Sequence, residues 1–114
     1  MKPRLLGPIN LPVQSDVELH LHLLLYRHRR PVKPQEAYAA LAGTFELTPE
    51  QRKARRLNSS GELAWSNLVR YAARRLRDNG FMDSTAPRGL RMLTAKGREH
   101  AEMIDSIDLD AIGL

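Results

Sequence analysis

The chain has 114 residues and no cysteine, and 18 Lys and Arg against 13 Asp and Glu give it a formal net charge of +5. This length and an apolar share of 42% suffice for one domain with a modest core, and leave no room for a separate catalytic domain. The lack of cysteine excludes disulfides and thiolate metal sites, and no apolar run approaches the ~20 residues of a membrane span. We therefore expect a soluble, cytoplasmic protein without membrane contacts.

The positive charge is concentrated in the middle of the chain. Residues 52–98 carry twelve Lys and Arg against three Asp and Glu, whereas residues 1–51 carry six against five and residues 99–114 none against five. A dense basic segment suits a phosphate-contacting surface, because each neutralised phosphate releases counterions. The alternative is an ordinary solvated face. The coincidence of these arginines with a helix face and a hairpin, described below, favours the first interpretation.

Three prolines make residues 1–14 an irregular arm in our prediction. Ser15 and Glu18 form a capping-box pattern that predicts a helix over residues 16–28, although strict apolar alternation in the same segment is also typical of a strand. The cap and the many leucines favour the helix.

Such a helix has two apolar faces. The residues that we expect in the core are Val17, Leu21, Leu24 and Leu25. On the far side, Leu19 and Leu23 need a cover, which is either the N-terminal arm or a second copy of the chain.

Further along, prolines break the chain at residues 29–34, where Val32 is a candidate for a very short strand. Apolar residues at helical spacing predict a second helix over residues 35–45. Thr48, followed by Pro49 and Gln51, predicts a capped short helix that starts at Pro49, and residues 58–61 have turn chemistry.

The most informative segment is a helix predicted over residues 66–79. At about 100° per residue, its apolar side carries Trp65, Leu68, Val69, Ala72 and Leu76, and its polar side carries Ser66, Asn67, Arg70, Arg74 and Arg77. We expect the first side, Trp65 included, to pack in the core. The planar guanidinium group of arginine can bind the edge of a guanine base or a phosphate, so the second side is suited to DNA.

Two neighbours of these arginines are open to more than one interpretation. Asn67 either reads adenine or only caps the helix or stabilises the turn. Arg75 falls nearer the packing side, where it either snorkels or pairs with an acid.

Gly80 is placed to end this helix, and residues 81–84, 85–89 and 90–93 then predict a hairpin with a basic tip. Arg88 and Arg91 are its candidate contact residues, with Arg91 on the outward face. Thr94 caps a last helix from Ala95, for which we expect three buried contacts, Met103, Ile104 and Ile107.

A helix, a glycine stop, a basic hairpin and a second capped helix make the layout of a winged helix-turn-helix, mainly α with a small β-hairpin. The division that follows is an arm at residues 1–14, a winged-helix domain at 15–104 and an acidic tail at 105–114. This layout points to double-stranded DNA as the partner. The predicted DNA-binding residues are Ser66, Asn67, Arg70, Arg74, Arg77, Arg88 and Arg91.

An ordered set of residues strengthens this interpretation. Its members are Leu47, Thr48, Glu50 and Arg52, then Ser60 and Gly61, then Asn67, Val69, Arg70, Tyr71, Ala72, Leu76 and Gly80, then Arg88, Gly89, Thr94, Gly97 and Arg98. With this pattern, residues 47–99 resemble the N-terminal winged-helix domain of Mrr-type restriction endonucleases. The resemblance implies a DNA-binding module, here without the metal-dependent nuclease domain that it precedes in the full-length enzymes.

No catalytic function is expected of these residues. No acidic and lysine constellation for magnesium is present, Ser59 and Ser60 have no recognisable triad partners, and His20 and His22 are two apart and share no helix face. We therefore predict no enzyme activity, no metal and no cofactor. The alternative to DNA binding is a protein-interaction or dimerisation adaptor that uses Leu19 and Leu23 or the C-terminal tail. If the protein does bind DNA, the sequence leaves open whether it is a regulator or the targeting part of a restriction system.

Overall fold

The computed structural model describes residues 11–55, 63–83 and 90–106. In chain order these ranges contain five helices, namely α1 (Gln14–His28), α2 (Pro34–Thr44), α3 (Pro49–Lys53), α4 (Ala64–Asp78) and α5 (Ala95–Asp105). The described part of the chain is therefore mainly helical, as predicted, and its strand-like structure is limited to isolated antiparallel bridges. The predicted turn at 58–61, the hairpin tip with Arg88 and the tail with Ile107 lie outside these ranges, as do the first ten residues of the arm.

The first segment is a helix and not a strand, but the predicted capping box is wrong. The helix begins at Gln14 after Val13, and no side chain caps it. Ser15 is therefore already inside the first turn. Glu18 instead accepts a hydrogen bond of 2.9 Å from the Gln14 side-chain amide, one helical turn earlier.

Helix α1 lies at the centre of the domain. It packs most extensively on α4, and also on α5 and α2. Val17, Leu21 and Leu25 are buried in the core as expected, and Leu24 packs against it while partly exposed. Leu23 is only 2% exposed, and Leu19 is half-buried. The cover that the prediction required is therefore supplied within one chain at Leu23, without a second copy.

Local end signals position α3 and α4. The capping box of α3 is confirmed, since Thr48 accepts from the Gln51 backbone at 3.1 Å and Gln51 accepts from the Thr48 backbone at 2.7 Å. Gly80 has a φ of 79° and ends α4 as predicted. Its N–H bonds to the Arg77 carbonyl at 2.9 Å and the Phe81 N–H bonds to the Leu76 carbonyl at 2.9 Å, which is the Schellman pattern.

Two antiparallel bridges hold the segment that follows α4. Met82 pairs with Leu93, and Arg91 pairs with Val32 through backbone hydrogen bonds of 2.9 and 3.0 Å. The short strand expected at Val32 is therefore confirmed as a bridge. Together these contacts bring the end of α4, the start of α5 and the loop before α2 onto one side of the core.

Helix α5 starts where it was predicted and approaches its neighbour closely. The Thr94 hydroxyl accepts from the Gly97 N–H at 3.0 Å and donates to the Gly80 carbonyl at 2.7 Å. Ile104 is half-buried. Met103 is 64% exposed, so its predicted burial is wrong; the side of α5 that meets α1 includes the buried Gly97 and Ala101.

Candidate nucleic-acid interface

Helix α4 presents one buried and one exposed face. Trp65, Val69, Ala72 and Leu76 are buried on the side that meets α1, α2 and α3. The Trp65 indole donates to the Tyr38 carbonyl at 3.0 Å, so its predicted core role is confirmed. This anchoring fixes the orientation of the opposite face, because a helix that is packed along its length cannot rotate without opening the core.

On the exposed face lies an open groove of about 300 Å³. Its lining consists of Asn67, Arg70, Tyr71, Arg74 and Arg77. Four of the predicted site residues are thus brought together on one surface, and none of the described residues that line the groove is a carboxylate. The three guanidinium groups that line the groove create a local positive potential, which attracts anions.

The arginines of α4 fall into two groups. Arg70, Arg74 and Arg77 are exposed at the groove, and no acidic side chain of the described residues forms an ion pair with Arg74 or Arg77. Arg75 has a side chain that is 56% exposed, and its Nε lies 4.0 Å from Glu18 Oε2 on α1. Its predicted pairing with an acid is confirmed, and it lies outside the groove lining.

Two other predicted residues of α4 differ in position. Ser66 is half-buried and does not line the groove. Asn67 does line it, and the alternative that Asn67 caps the helix is wrong, since the cap residue is Leu63 and no side chain bonds there. Asn67 lies one turn after the start of α4, at one end of the groove lining.

The predicted outward position of Arg91 is wrong. Its side chain is 8% exposed, with the guanidinium carbon 5.8 Å from the centroid of the Tyr38 ring. Side chains alternate along an extended segment, so Arg91 shares the inward face with the buried Leu93. Within the described ranges, the buried Nη1 of Arg91 has no hydrogen-bond partner.

Sequence reasoning did not assign a role to Tyr71, which the structure places in the groove. The ring is 48% exposed, although tyrosine is an interior residue on many helices. The signal was present in the sequence, since Tyr71 follows Asn67 by one helical turn and precedes Arg74 by three residues. Only its place outside the apolar stripe separated it from the core residues.

His20 and His22 of α1 both pack against other side chains. His22 is buried, and its Nε2 lies 2.8 Å from the Gly97 carbonyl oxygen; its ring lies 5.1 Å from Phe81 and 5.5 Å from His100, centroid to centroid. His20 packs edge-on against Phe45 at 5.0 Å. In the ranges that the structure describes, no group of three His, Cys, Asp or Glu side chains is arranged to hold a metal ion.

None of the described helices has the length and apolar character to cross a membrane.

The fold and the groove define a small helical domain that exposes one arginine-rich helix face. The family model of the Mrr N-terminal domain matches residues 17–102, and the chain belongs to this family. The match confirms the resemblance and extends it beyond residues 47–99, so that it includes most of α1 and all of α2. No curated protein and no solved structure matches the chain.

Proposed function

We propose that this domain binds double-stranded DNA as a winged helix, with α4 in the major groove and the segment after α4 as the wing. One observation carries the proposal, which is the groove on α4, where the described lining residues are three arginines, one asparagine and one tyrosine. Family membership supports it, because the Mrr resemblance connects the domain to restriction systems, whose substrate is DNA.

The dimensions of α4 suit this role. Fifteen residues give a helix about 22 Å long, and a helix with its side chains is about 10–12 Å across, close to the width of the major groove of about 12 Å. Arg70, Arg74 and Arg77 follow one another at intervals of four and three residues. They therefore form a row along the helix axis that can contact bases at its centre and phosphates at its sides.

The surroundings of α4 support a winged helix in particular. The short helix α3 precedes α4 and packs against it. After α4, residues 81–83 and 91–94 are paired antiparallel, with the Asp83 N–H bonded to the Met92 carbonyl at 2.8 Å and the Thr94 N–H bonded to the Phe81 carbonyl at 2.9 Å. The bridge from Arg91 to Val32 supplies the position of a third strand.

Within this proposal, the predicted residues have different roles. Arg70, Arg74 and Asn67 discriminate between bases. Arg77, which lies near the end of α4, contacts the DNA backbone. Ser66, beside the groove, and Arg88, on the proposed wing, contact flanking phosphates. Arg91 is left out of the interface because its side chain is buried. An adaptor that docks through Leu19 and Leu23 is less well supported, since Leu23 is covered within one chain.

The test compares two double variants with the same change of charge. Arg74→Ala/Arg77→Ala removes two groove arginines, whereas the control Arg27→Ala/Arg75→Ala removes two that pair with Asp105 and Glu18 away from the groove. Fluorescence anisotropy measures the affinity for a labelled random 24-base-pair duplex between about 50 and 200 mM salt.

We expect the groove variant to lose about tenfold or more in affinity and to show a shallower salt dependence, since each lost phosphate contact lowers the slope by about 0.9. The control should stay within about twofold of wild type. Equal losses of affinity in both variants would mean that binding depends on net charge and not on the groove, and would contradict the assignment of the groove as the DNA-binding site. A wild-type protein that binds no duplex at about 50 mM salt would remove DNA binding altogether.

A further inference from the structure

Asn67 and Tyr71 form a pair at one edge of the groove. They are four residues apart on α4, so their side chains are neighbours on the same face, with Cβ atoms about 5–6 Å apart. Tyr71 is the exposed large apolar residue of this helix, and within the described ranges its ring packs on no other aromatic ring or cation. Packing of the core therefore does not explain an aromatic side chain here.

The chemistry of this pair differs from that of the arginines beside it. A carboxamide can donate to N7 and accept from N6 only with adenine, where one acceptor and one donor face the major groove, whereas an arginine fork matches the two acceptors of guanine. An apolar side chain in the same groove finds one apolar group on the base edges, the C5 methyl of thymine. Both groups belong to an A·T pair.

The spacing permits both contacts at once. Two side chains about 5–6 Å apart on a helix in the major groove meet the same base pair or its neighbour, because base pairs are stacked about 3.4 Å apart. The lining residues nearest to this pair along α4 are Arg70 and Arg74, which can hold the adjacent phosphates or a guanine.

We propose that Asn67 and Tyr71 together read an A·T pair, Asn67 at the adenine edge and Tyr71 at the thymine methyl. This inference rests on the proposed function and adds a base preference to it. The groove then combines an A·T reader at one edge with a row of arginines along the other.

The experiment replaces single groups on the DNA. A duplex is first selected from a random pool with the wild-type protein, and its affinity is measured by anisotropy. Each thymine is then replaced by uracil, which lacks only the C5 methyl, and in a second set each adenine is replaced by 7-deazaadenine, which lacks only the N7 acceptor. Wild type, Asn67→Ala, Tyr71→Ala and the off-groove control Arg75→Ala are measured on each duplex, after circular dichroism has shown that they melt alike.

At one position, uracil should weaken wild-type binding about fourfold, the effect of one buried methyl group, and 7-deazaadenine should weaken it about fivefold or more. The uracil effect should disappear in Tyr71→Ala and the 7-deazaadenine effect in Asn67→Ala, while Arg75→Ala keeps both.

Three results would overturn the inference. In the first, wild type binds the selected duplex with salt-dependent affinity, but neither replacement changes that affinity. This result would support DNA binding and contradict the reading of an A·T pair. In the second, the sensitivities persist in the alanine variants. In the third, the single strands of the duplex bind more tightly than the duplex and only Tyr71→Ala loses this binding, which would make Tyr71 a stacking platform. Absence of any binding would instead contradict the proposed function itself.

Discussion

The imidazole Nε2 of His22 lies 2.8 Å from the carbonyl oxygen of Gly97, and this contact joins the central helix α1 to α5. Because a carbonyl only accepts, the ring donates here through a protonated Nε2. Burial of the ring lowers the pKa of His22 below 6.5, and the nearby His100 lowers it further, against the opposing effect of the hydrogen bond to Gly97.

The first prediction concerns pH. Since the pKa of His22 is lower in the folded chain than in the unfolded chain, the unfolded chain takes up the proton more readily. The contribution of His22 to stability is therefore complete above about pH 6.5 and is lost as the pH falls below it. Urea unfolding between pH 7.5 and pH 5 should show a falling free energy of unfolding in wild type and a smaller fall in His22→Gln.

The range stops at pH 5 because Arg30 lowers the pKa of Glu36 below 4.5, so that this carboxyl adds its own loss of stability in more acidic solution. An identical fall in His22→Gln and wild type would show that another group is responsible.

The second prediction concerns the approach of α5 to the end of α4. A Cβ atom at Gly97 would lie 2.0 Å from the Phe81 carbonyl oxygen and 2.9 Å from its carbon, both backbone atoms that cannot rotate away. Gly97→Ala should therefore lower the free energy of unfolding by about 2–3 kcal/mol, measured by urea denaturation. Gly43→Ala is the matched control. In α2, a Cβ at Gly43 meets nothing within 4 Å and should stabilise the helix by about 0.5–1 kcal/mol.

The third prediction concerns the buried guanidinium of Arg91. Its Nη1 is buried without a hydrogen-bond partner in the described part of the chain, and a buried donor left unsatisfied costs about 1–3 kcal/mol. Arg91→Met keeps an unbranched side chain next to Tyr38 and removes that cost. We expect thermal melting at an equal or higher temperature than wild type, with unchanged affinity for DNA. A lower melting temperature would mean that the guanidinium contributes more to the fold than its contacts indicate.

The fourth prediction concerns the N-terminus of α5. The Thr94 hydroxyl both accepts from the Gly97 N–H and donates to the Gly80 carbonyl, so it connects the cap of one helix to the end of another. Thr94→Ala should cost about 1–2 kcal/mol of stability in urea denaturation. Thr94→Ser keeps the hydroxyl, and its free energy of unfolding should stay within a few tenths of a kcal/mol of the wild-type value. A serine variant as unstable as the alanine variant would shift the explanation to the lost methyl group.

Features set by neighbours in the sequence were predicted correctly. The two faces of α4 follow from the helical period, and its end at Gly80 follows from a backbone conformation that glycine adopts without strain. The cap formed by Thr48 and Gln51 depends on two residues that are three apart. Each of these signals is complete within a few residues, so distant parts of the chain do not change it.

Features that depend on distant parts of the chain were not predictable in this way. Leu23 is buried on a helix whose partners lie far along the chain, and Arg91 faces inward because residues 91 and 93 share a face against the core. The expected cap at Ser15 failed for a different reason. A start at Gln14 moves Ser15 into the helix, and a shift of one or two residues in a helix boundary is enough to abolish a cap.

The central position of α1 has a consequence for the order in which the domain folds. Its main partners, α4 and α5, begin 50 and 81 residues after Gln14, so α1 leaves the ribosome well before the helices that pack on it. Contacts at such separation form slowly, because a long loop must close before they yield any stabilisation. We expect nascent chains that end before Ala95 to remain protease-sensitive throughout, and α1 to be the segment that a chaperone contacts until α5 emerges.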